Sequence, residues 1–236
     1  MKNIADLDFQ AGEVLLFNKP KGWSSFDVVK KVRGLIRIKK VGHAGTLDPL
    51  ATGLLIICTG RKTKTIESLQ GLQKEYLTEI KFGSTTASYD LEHPPENFKD
   101  TSHLTREAIE KAIPAFTGEI LQYPPIFSAV KINGKRAFKS ARKGKHVEVR
   151  PRTVQVYDYQ LTAFTAPDLA KARILCGKGT YIRSLAHDLG QVLGVGAHIT
   201  ELQRTQIGEH LLENAWEIND FADQVIALRK SKQDTP

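Results

Sequence analysis

Two periodicities run along this chain, and the points where one gives way to the other mark its elements. Glu13 to Asn18 (EVLLFN) is an apolar run of strand length, ended by the turn sequence Lys19-Pro20-Lys21-Gly22. Helical spacing follows: Val28, Val29, Val32, Leu35 and Ile36 recur on one face, Ser24 or Ser25 supplies an N-cap, and Asp27 completes a capping box with Ser24. The opposite face carries Lys30, Lys31, Arg33 and Arg37, and the basic run continues into Lys39 and Lys40. Val41 to Gly53 contains three glycines and a proline, too irregular for a regular element, before Leu54 to Cys58 forms an apolar strand. Asp48 is therefore expected on a loop that leads into the core.

Strict alternation returns at residues 75 to 82, with Tyr76, Thr78, Ile80 and Phe82 on one face of a strand and Leu77, Glu79 and Lys81 on the other. Residues 84 to 100 are polar, contain Pro94-Pro95 and read as a surface loop. Thr105 then caps a helix whose inner face is Ile109, Ala112, Ile113 and Phe116. Residues 118 to 152 lack the apolar periodicity of a core and include a hairpin turn at Asn133-Gly134, so they read as an excursion from the main domain. Thr153 to Phe164 and Ala172 to Cys176 are strands, Leu185, Leu189, Val192 and Leu193 mark a helix that Gly194 and Gly196 stop, and Ala215 to Leu228 is a last helix with Ile218, Phe221, Val225 and Ile226 inward. The pattern predicts an α+β fold with mainly antiparallel strands and four or five helices about one core.

Composition narrows the setting. The hydrophobic fraction is 41%, no apolar run reaches the ~18 residues of a membrane span, and the acidic N-terminus has no signal-type apolar segment, so a cytoplasmic protein without membrane contact is expected. Cys58 and Cys176 lie far apart in apolar runs, as buried thiols of a reducing compartment do, and no His or Cys falls at metal-ligand spacing, so neither a metal nor another cofactor is expected. The formal charge of +8 fits a polyanionic partner. Its distribution is more telling: nine Lys or Arg residues and one acid, Glu148, lie between Lys131 and Arg152.

The candidate chemistry begins at Gly42 to Gly53 (GHAGTLDPLATG). An aspartate that acts as a nucleophile must be ionised and aimed by rigid backbone, which a glycine-rich loop closed by proline provides; a plain Asp-Pro turn has the same appearance. Four further motifs separate these readings. Asn18 to Val29 (NKPKGWSSFDVV), Lys74-Glu75-Tyr76, Gly179 to Leu185 (GTYIRSL) and Leu202 to Gly208 (LQRTQIG), together with the Asp48 string, resemble in order the five motifs of the TruB-type tRNA pseudouridine synthases. The resemblance spans about Gly12 to Gly208.

That resemblance implies the pseudouridine synthase fold, with a mixed, mainly antiparallel sheet flanked by helices: a catalytic domain over residues 1–212 with an RNA-clamping insertion at about 120–152, then a C-terminal helix and tail over 213–236. It implies isomerisation of uridine 55 in the tRNA T-arm, with Asp48 as nucleophile after base flipping, Tyr76 stacked on the extruded uracil and Arg183 beside the carboxylate. Tyr181 and Leu202 would wall the pocket, His43 would hold the extruded nucleotides apart, and Lys131, Lys135, Arg136, Lys139, Arg142, Lys143 and Lys145 would clamp the T-arm. Lys19 would either meet a phosphate or pack beneath the active-site loop. Without the resemblance, Tyr76, Tyr181 and Leu202 are ordinary core residues, Arg183 a surface arginine at a helix start and His43 a turn histidine.

Two departures stand out. Only 28 residues follow Gly208, too few for the RNA-binding PUA domain that many bacterial members carry, so RNA binding is expected to rest on the catalytic domain of a monomer. His210 takes a place usually held by phenylalanine. The rivals are a guide-RNA-dependent synthase, disfavoured by the short chain, a tRNA-folding module without essential catalysis, and a metal-dependent hydrolase using Asp48 and His43, which lacks further ligands. No guide RNA is expected.

Overall fold

The computed structural model describes residues 3–128, 131–132, 135–136 and 149–233. In chain order its strands are β1 (Val14–Lys19), β2 (Val41–Ala44), β3 (Thr52–Thr59), β4 (Lys74–Phe82), β5 (Gly118–Gln122), β6 (Lys131–Ile132), β7 (Lys135–Arg136), β8 (Arg152–Thr165), β9 (Leu169–Cys176), β10 (Ala197–Ile207) and β11 (His210–Leu211). The helices are α1 (Ser25–Ile36), α2 (Ile66–Gly71), α3 (Arg106–Ala112), α4 (Ile182–Val192) and α5 (Ile218–Gln233). No helix among the described residues is long and apolar enough to cross a membrane. The architecture is α+β, and the chain divides into two compact units: residues 1–74 with 203–236, and residues 75–202.

In the first unit β3 is the organising strand. β1 runs antiparallel along it, from Val14 opposite Cys58 to Lys19 opposite Gly53, while β2 pairs antiparallel with its end and β10 parallel with its start. Its continuous apolar run has a physical reason, because both faces are buried. Leu55 and Ile57 join Phe17, Val28, Val32, Phe221 and Val225 in one core, where the Phe17 and Phe221 rings meet edge to face at 5.0 Å. Leu54, Ile56 and Cys58 join Ala44 and Ile207 in a second.

Helix α1 begins as expected, with the Ser24 and Asp27 side chains capping one another's backbone. Two expectations fail in this unit. Val41 to Ala44 is strand β2 despite its glycine, because β3 offers it a ladder that propensity alone does not foresee. Ile226 is 43% exposed: the inward face of α5 is Ile218, Phe221, Ala222 and Val225, one helical stripe from which Ile226 is rotated away.

In the second unit the strand order is β10-β4-β9-β8-β5, with the first half of β10 contributing. β8 and β9 form a long antiparallel pair with irregularities at Val156/Asp158 and Leu161/Ala163. The alternation of β4 is as read from sequence, Tyr76, Thr78, Ile80 and Phe82 being buried. Thr105 caps α3 through the Ala108 amide.

Gly118 to Gln122 is not part of an excursion. It is β5, paired from Gly118–Val156 to Gln122–Arg152. Nor is 84–100 simply a surface loop, because Ser84, Thr86, Ser88 and Asp90 are buried, and the Thr86 and Ser88 hydroxyls both donate to the Asp90 carbonyl. Self-satisfied small polar side chains let a polar sequence go inside. β10 was also not foreseen, since buried His198 and Arg204 interrupt its apolar pattern. β6 and β7 pair with Ile132 opposite Lys135, as a hairpin turn at Asn133-Gly134 requires; residues 133–134 themselves lie outside the described set.

Candidate active site

The first unit fixes the Asp48 loop from both sides of the aspartate. Leu47 is held by Ser25 at the start of α1: its amide donates to Ser25 Oγ at 2.8 Å, and Ser25 Oγ donates to its carbonyl at 3.2 Å. The Pro49 carbonyl accepts from the Gly22 amide at 2.8 Å and from Lys19 Nζ at 3.3 Å, and the Ala51 amide closes the turn onto the Asp48 carbonyl. Further out, fully buried Arg204 donates from Nε to the Leu54 carbonyl and from Nη2 to the Gly45 carbonyl. Gly53 has φ near +100°, and a Cβ there would lie 2.3 Å from the Arg204 carbonyl oxygen, so only glycine admits β10 at this point. Asp48 itself is half-buried.

Lys19 is the cation beneath this loop. It is fully buried, and Nζ donates to the carbonyls of Pro20 (3.0 Å), Trp23 (2.6 Å) and Pro49 (3.3 Å), which uses its three protons. Burial lowers its pKa to about 8, the negative charge of Asp48 opposing that shift and the neighbouring Arg204 adding to it. Lys19 thus joins the turn after β1 to the Asp48 loop. His43 lies half-buried on β2, opposite Ile57.

In the second unit the Tyr181 to Ser184 segment opens α4 and is held by the last residue of β5 and the chain that follows it. The buried Gln122 side chain pairs with Tyr181 like a second peptide, accepting from its amide at 2.8 Å and donating to its carbonyl at 3.0 Å. Ser184 Oγ donates to the Tyr123 carbonyl. Arg183, 2% exposed, donates to the Ser88 carbonyl at 2.8 Å and the Phe127 carbonyl at 3.0 Å, and its Nε lies 3.8 Å from the buried carboxylate of Asp90. The Arg152 guanidinium lies over the Tyr181 ring at 4.8 Å. Tyr89, in a left-handed conformation, stacks on His187 at 3.8 Å. Tyr76 and Leu202 are buried at 9% and 8% exposure.

In the second unit Arg183 is thus braced by two loop carbonyls beside a buried carboxylate, and in the first unit the Asp48 loop is stapled at Leu47 and Pro49. Residues 33–182 match the TruB family pseudouridylate synthase N-terminal domain, and residues 183–235 match the tRNA pseudouridylate synthase B C-terminal domain. The chain belongs to the TruB family of pseudouridylate synthases. A protein of Parabacteroides distasonis named tRNA pseudouridine synthase B is 48% identical over 96% of this chain and 100% of its own length. The protein of the same name from Flavobacterium johnsoniae is 44% identical over 92% of this chain and 98% of its own.

Solved structures agree on the pseudouridine synthase fold. A crystal structure of a Cbf5-Nop10-Gar1 complex contains a chain matched with a TM-score of 0.69 at 31% identity, over 91% of this TruB-family chain and 54% of that one. An H/ACA RNP bound to a substrate RNA containing 2'-deoxyuridine gives 0.69 at 26% identity, over 95% and 56%. The chain therefore spans little more than half the length of those solved chains.

Of the residues singled out from sequence, Lys19, His43 and Asp48 lie in the first unit and Tyr76, Tyr181, Arg183 and Leu202 in the second. Lys131, Lys135 and Arg136 lie on β6 and β7, whereas Lys139, Arg142, Lys143 and Lys145 fall outside the described residues. Sequence reading missed Ser25, Asp90, Gln122 and Arg204. Ser25 and Arg204 stand inside recognised motifs, which is the signal that would have found them; Asp90 and Gln122 have no local signature.

Proposed function

We propose that this protein isomerises uridine to pseudouridine in tRNA, that its target is uridine 55 of the T-arm, and that Asp48 is the nucleophile. In this reaction the C1′–N1 bond breaks, the detached uracil rotates, a C1′–C5 bond forms, and the C5 proton is exchanged for one on N1, so no atom is gained or lost. What supports Asp48 most directly is the restraint on both its neighbours: Leu47 by Ser25, Pro49 by Lys19 and Gly22. A nucleophile whose flanking peptides cannot drift meets its target in a near-attack geometry. Lys19, with its three protons on carbonyls, serves in this reading as a positioning residue for the loop rather than as a phosphate ligand.

Tyr76 and Arg183 take the roles their motifs imply, the ring on the flipped base and the cation in support of the carboxylate. The cost of extruding a loop uridine, a few kcal/mol, is offset by contacts elsewhere on the RNA, among them the basic segment from Lys131 to Lys145. The relatives named tRNA pseudouridine synthase B support tRNA as the substrate.

The test is pseudouridine mapping of an unmodified tRNA transcript treated with purified protein and no guide RNA. Conversion at position 55 by the wild type, abolished in Asp48→Asn with tRNA binding retained, is expected. Equal activity of the two proteins would remove Asp48 from the nucleophile role. Inactivity of both with binding retained would favour a tRNA-folding module, and conversion only with a guide RNA the guide-dependent class.

A further inference from the structure

The basic face of α1 does not end in open solvent. Its last turn passes through Arg37, held in a left-handed conformation, into Lys39 and Lys40, and these residues with Arg61 line a cleft of about 680 Å³ that Asp8, Gln10 and Ala11 also line. Arg37, Lys39, Lys40 and Arg61 are all exposed, and none is in an ion pair among the described residues. The carboxylate in the cleft, Asp8, is committed to its own turn, where Oδ1 accepts from the Gln10 amide at 3.0 Å and the Ala11 amide at 2.8 Å. Cations of like sign that converge on a concavity repel one another unless an anion enters it.

The cleft is fixed rather than frayed. The Gly60 amide donates to the Lys40 carbonyl and the Arg61 amide to the Ala11 carbonyl, which ties all three segments of its wall together. A ridge leads into it: Lys30, Arg33 and Arg37 are spaced three and four residues apart on the exposed face of α1, which sets their Cα atoms along ~10 Å of helix. Asp48 precedes β3 and Arg61 follows it, so the cleft and the loop of the candidate nucleophile lie beyond opposite ends of an eight-residue strand, which itself spans roughly 23 Å at ~3.3 Å per residue. That is beyond the nucleotides flanking one flipped base.

We propose that this cleft, with the ridge that enters it, is a second RNA contact, gripping backbone phosphates of the tRNA outside the arm that carries the target uridine. The proposal rests on the tRNA reading above and extends it from one arm to the body of the molecule. Its consequence is a KM contribution that a T-arm fragment cannot supply.

The experiment compares wild type with an Arg37→Gln, Lys39→Gln, Lys40→Gln, Arg61→Gln variant on two RNAs, a full-length unmodified tRNA transcript and its isolated T-arm stem-loop, measuring affinity across a salt series and pseudouridine formation. All four changes are at exposed side chains, and turnover of the stem-loop reports that the variant is folded. For full-length tRNA, affinity is expected to fall about ten- to hundredfold and the logarithmic salt slope to flatten by about two. Stem-loop affinity and kcat on both RNAs are expected to stay within about twofold of wild type. Unchanged tRNA affinity and slope, or equal losses on both RNAs, would overturn the proposal. If the wild type binds tRNA but modifies neither RNA, the functional reading fails instead, and the two binding series still decide the cleft.

Discussion

Lys19 in the first unit and Arg183 in the second are both buried cations that donate to backbone carbonyls, and the two differ in kind. Lys19 is a point charge that ties together three carbonyls, those of Pro20, Trp23 and Pro49, from two stretches of chain. Arg183 is a planar fork reaching the Ser88 and Phe127 carbonyls, with the Asp90 carboxylate alongside. Both stand in for a hydrogen-bond ladder where the chain has no regular structure, at loops that carry the candidate chemistry. The difference is one of durability: a guanidinium keeps its charge at any working pH, whereas an ammonium lowered to about 8 by burial can lose its own. One clamp is permanent and the other conditional.

Removing the permanent clamp should do most damage. Arg183→Met would leave the Asp90 carboxylate buried with its cation gone and two carbonyls without a donor, a loss of about 3–5 kcal/mol in urea unfolding. Arg183→Lys, which keeps the charge but not the fork, should recover part of that stability and little of the activity; full recovery of both would mean that the fork geometry is irrelevant. Lys19→Met should cost less, about 2 kcal/mol, because three carbonyls lose donors but a buried charge is also removed. Its effect on kcat should be larger than on KM, since the loop it holds is that of Asp48. Gln122→Leu, which strips the Tyr181 amide and carbonyl of partners, is expected to cost about 1–2 kcal/mol, and Gln122→Glu, which keeps the acceptor but buries a carboxylate against the Tyr181 carbonyl, at least as much.

These clamps mark where the sequence was legible and where it was not. β4 and α1 could be read residue by residue, because each has one buried face and local spacing reports burial directly. β10 and the 84–90 loop could not, since buried His198, Arg204, Ser88 and Asp90 are satisfied by partners distant in sequence or by the loop itself, and polarity hides their burial. Asp48 was legible through the string around it. Its supports were legible only in part: Ser25 reaches Leu47 over 22 positions and Gln122 reaches Tyr181 over 59, and no local pattern encodes such a pairing. Hydrogen bonds of long sequence separation are set by the fold that brings them together, so they are the last features a linear reading recovers.

The conditional clamp makes the smallest prediction and the most diagnostic one, because its two consequences have opposite signs. Below about pH 8 Lys19 is charged and serves three carbonyls; above it a neutral amine has two protons for three acceptors, and the Pro49 carbonyl, at 3.3 Å the longest contact, is the one expected to lose its Lys19 donor and keep only the Gly22 amide. The single-turnover rate should therefore fall about fivefold as pH rises through 8, the loss of one hydrogen bond worth ~1 kcal/mol. Stability should move the other way. The folded-state pKa lies below the unfolded value of 10.5, so between about 8 and 10.5 the unfolded chain binds the extra proton, and raising the pH across that window favours the folded state. Other groups titrate in the same range, so the observable is the wild-type profile minus that of Lys19→Met, for which both limbs should be absent. A difference in which rate and stability change together would show that the ammonium holds the whole fold, rather than the Asp48 loop alone.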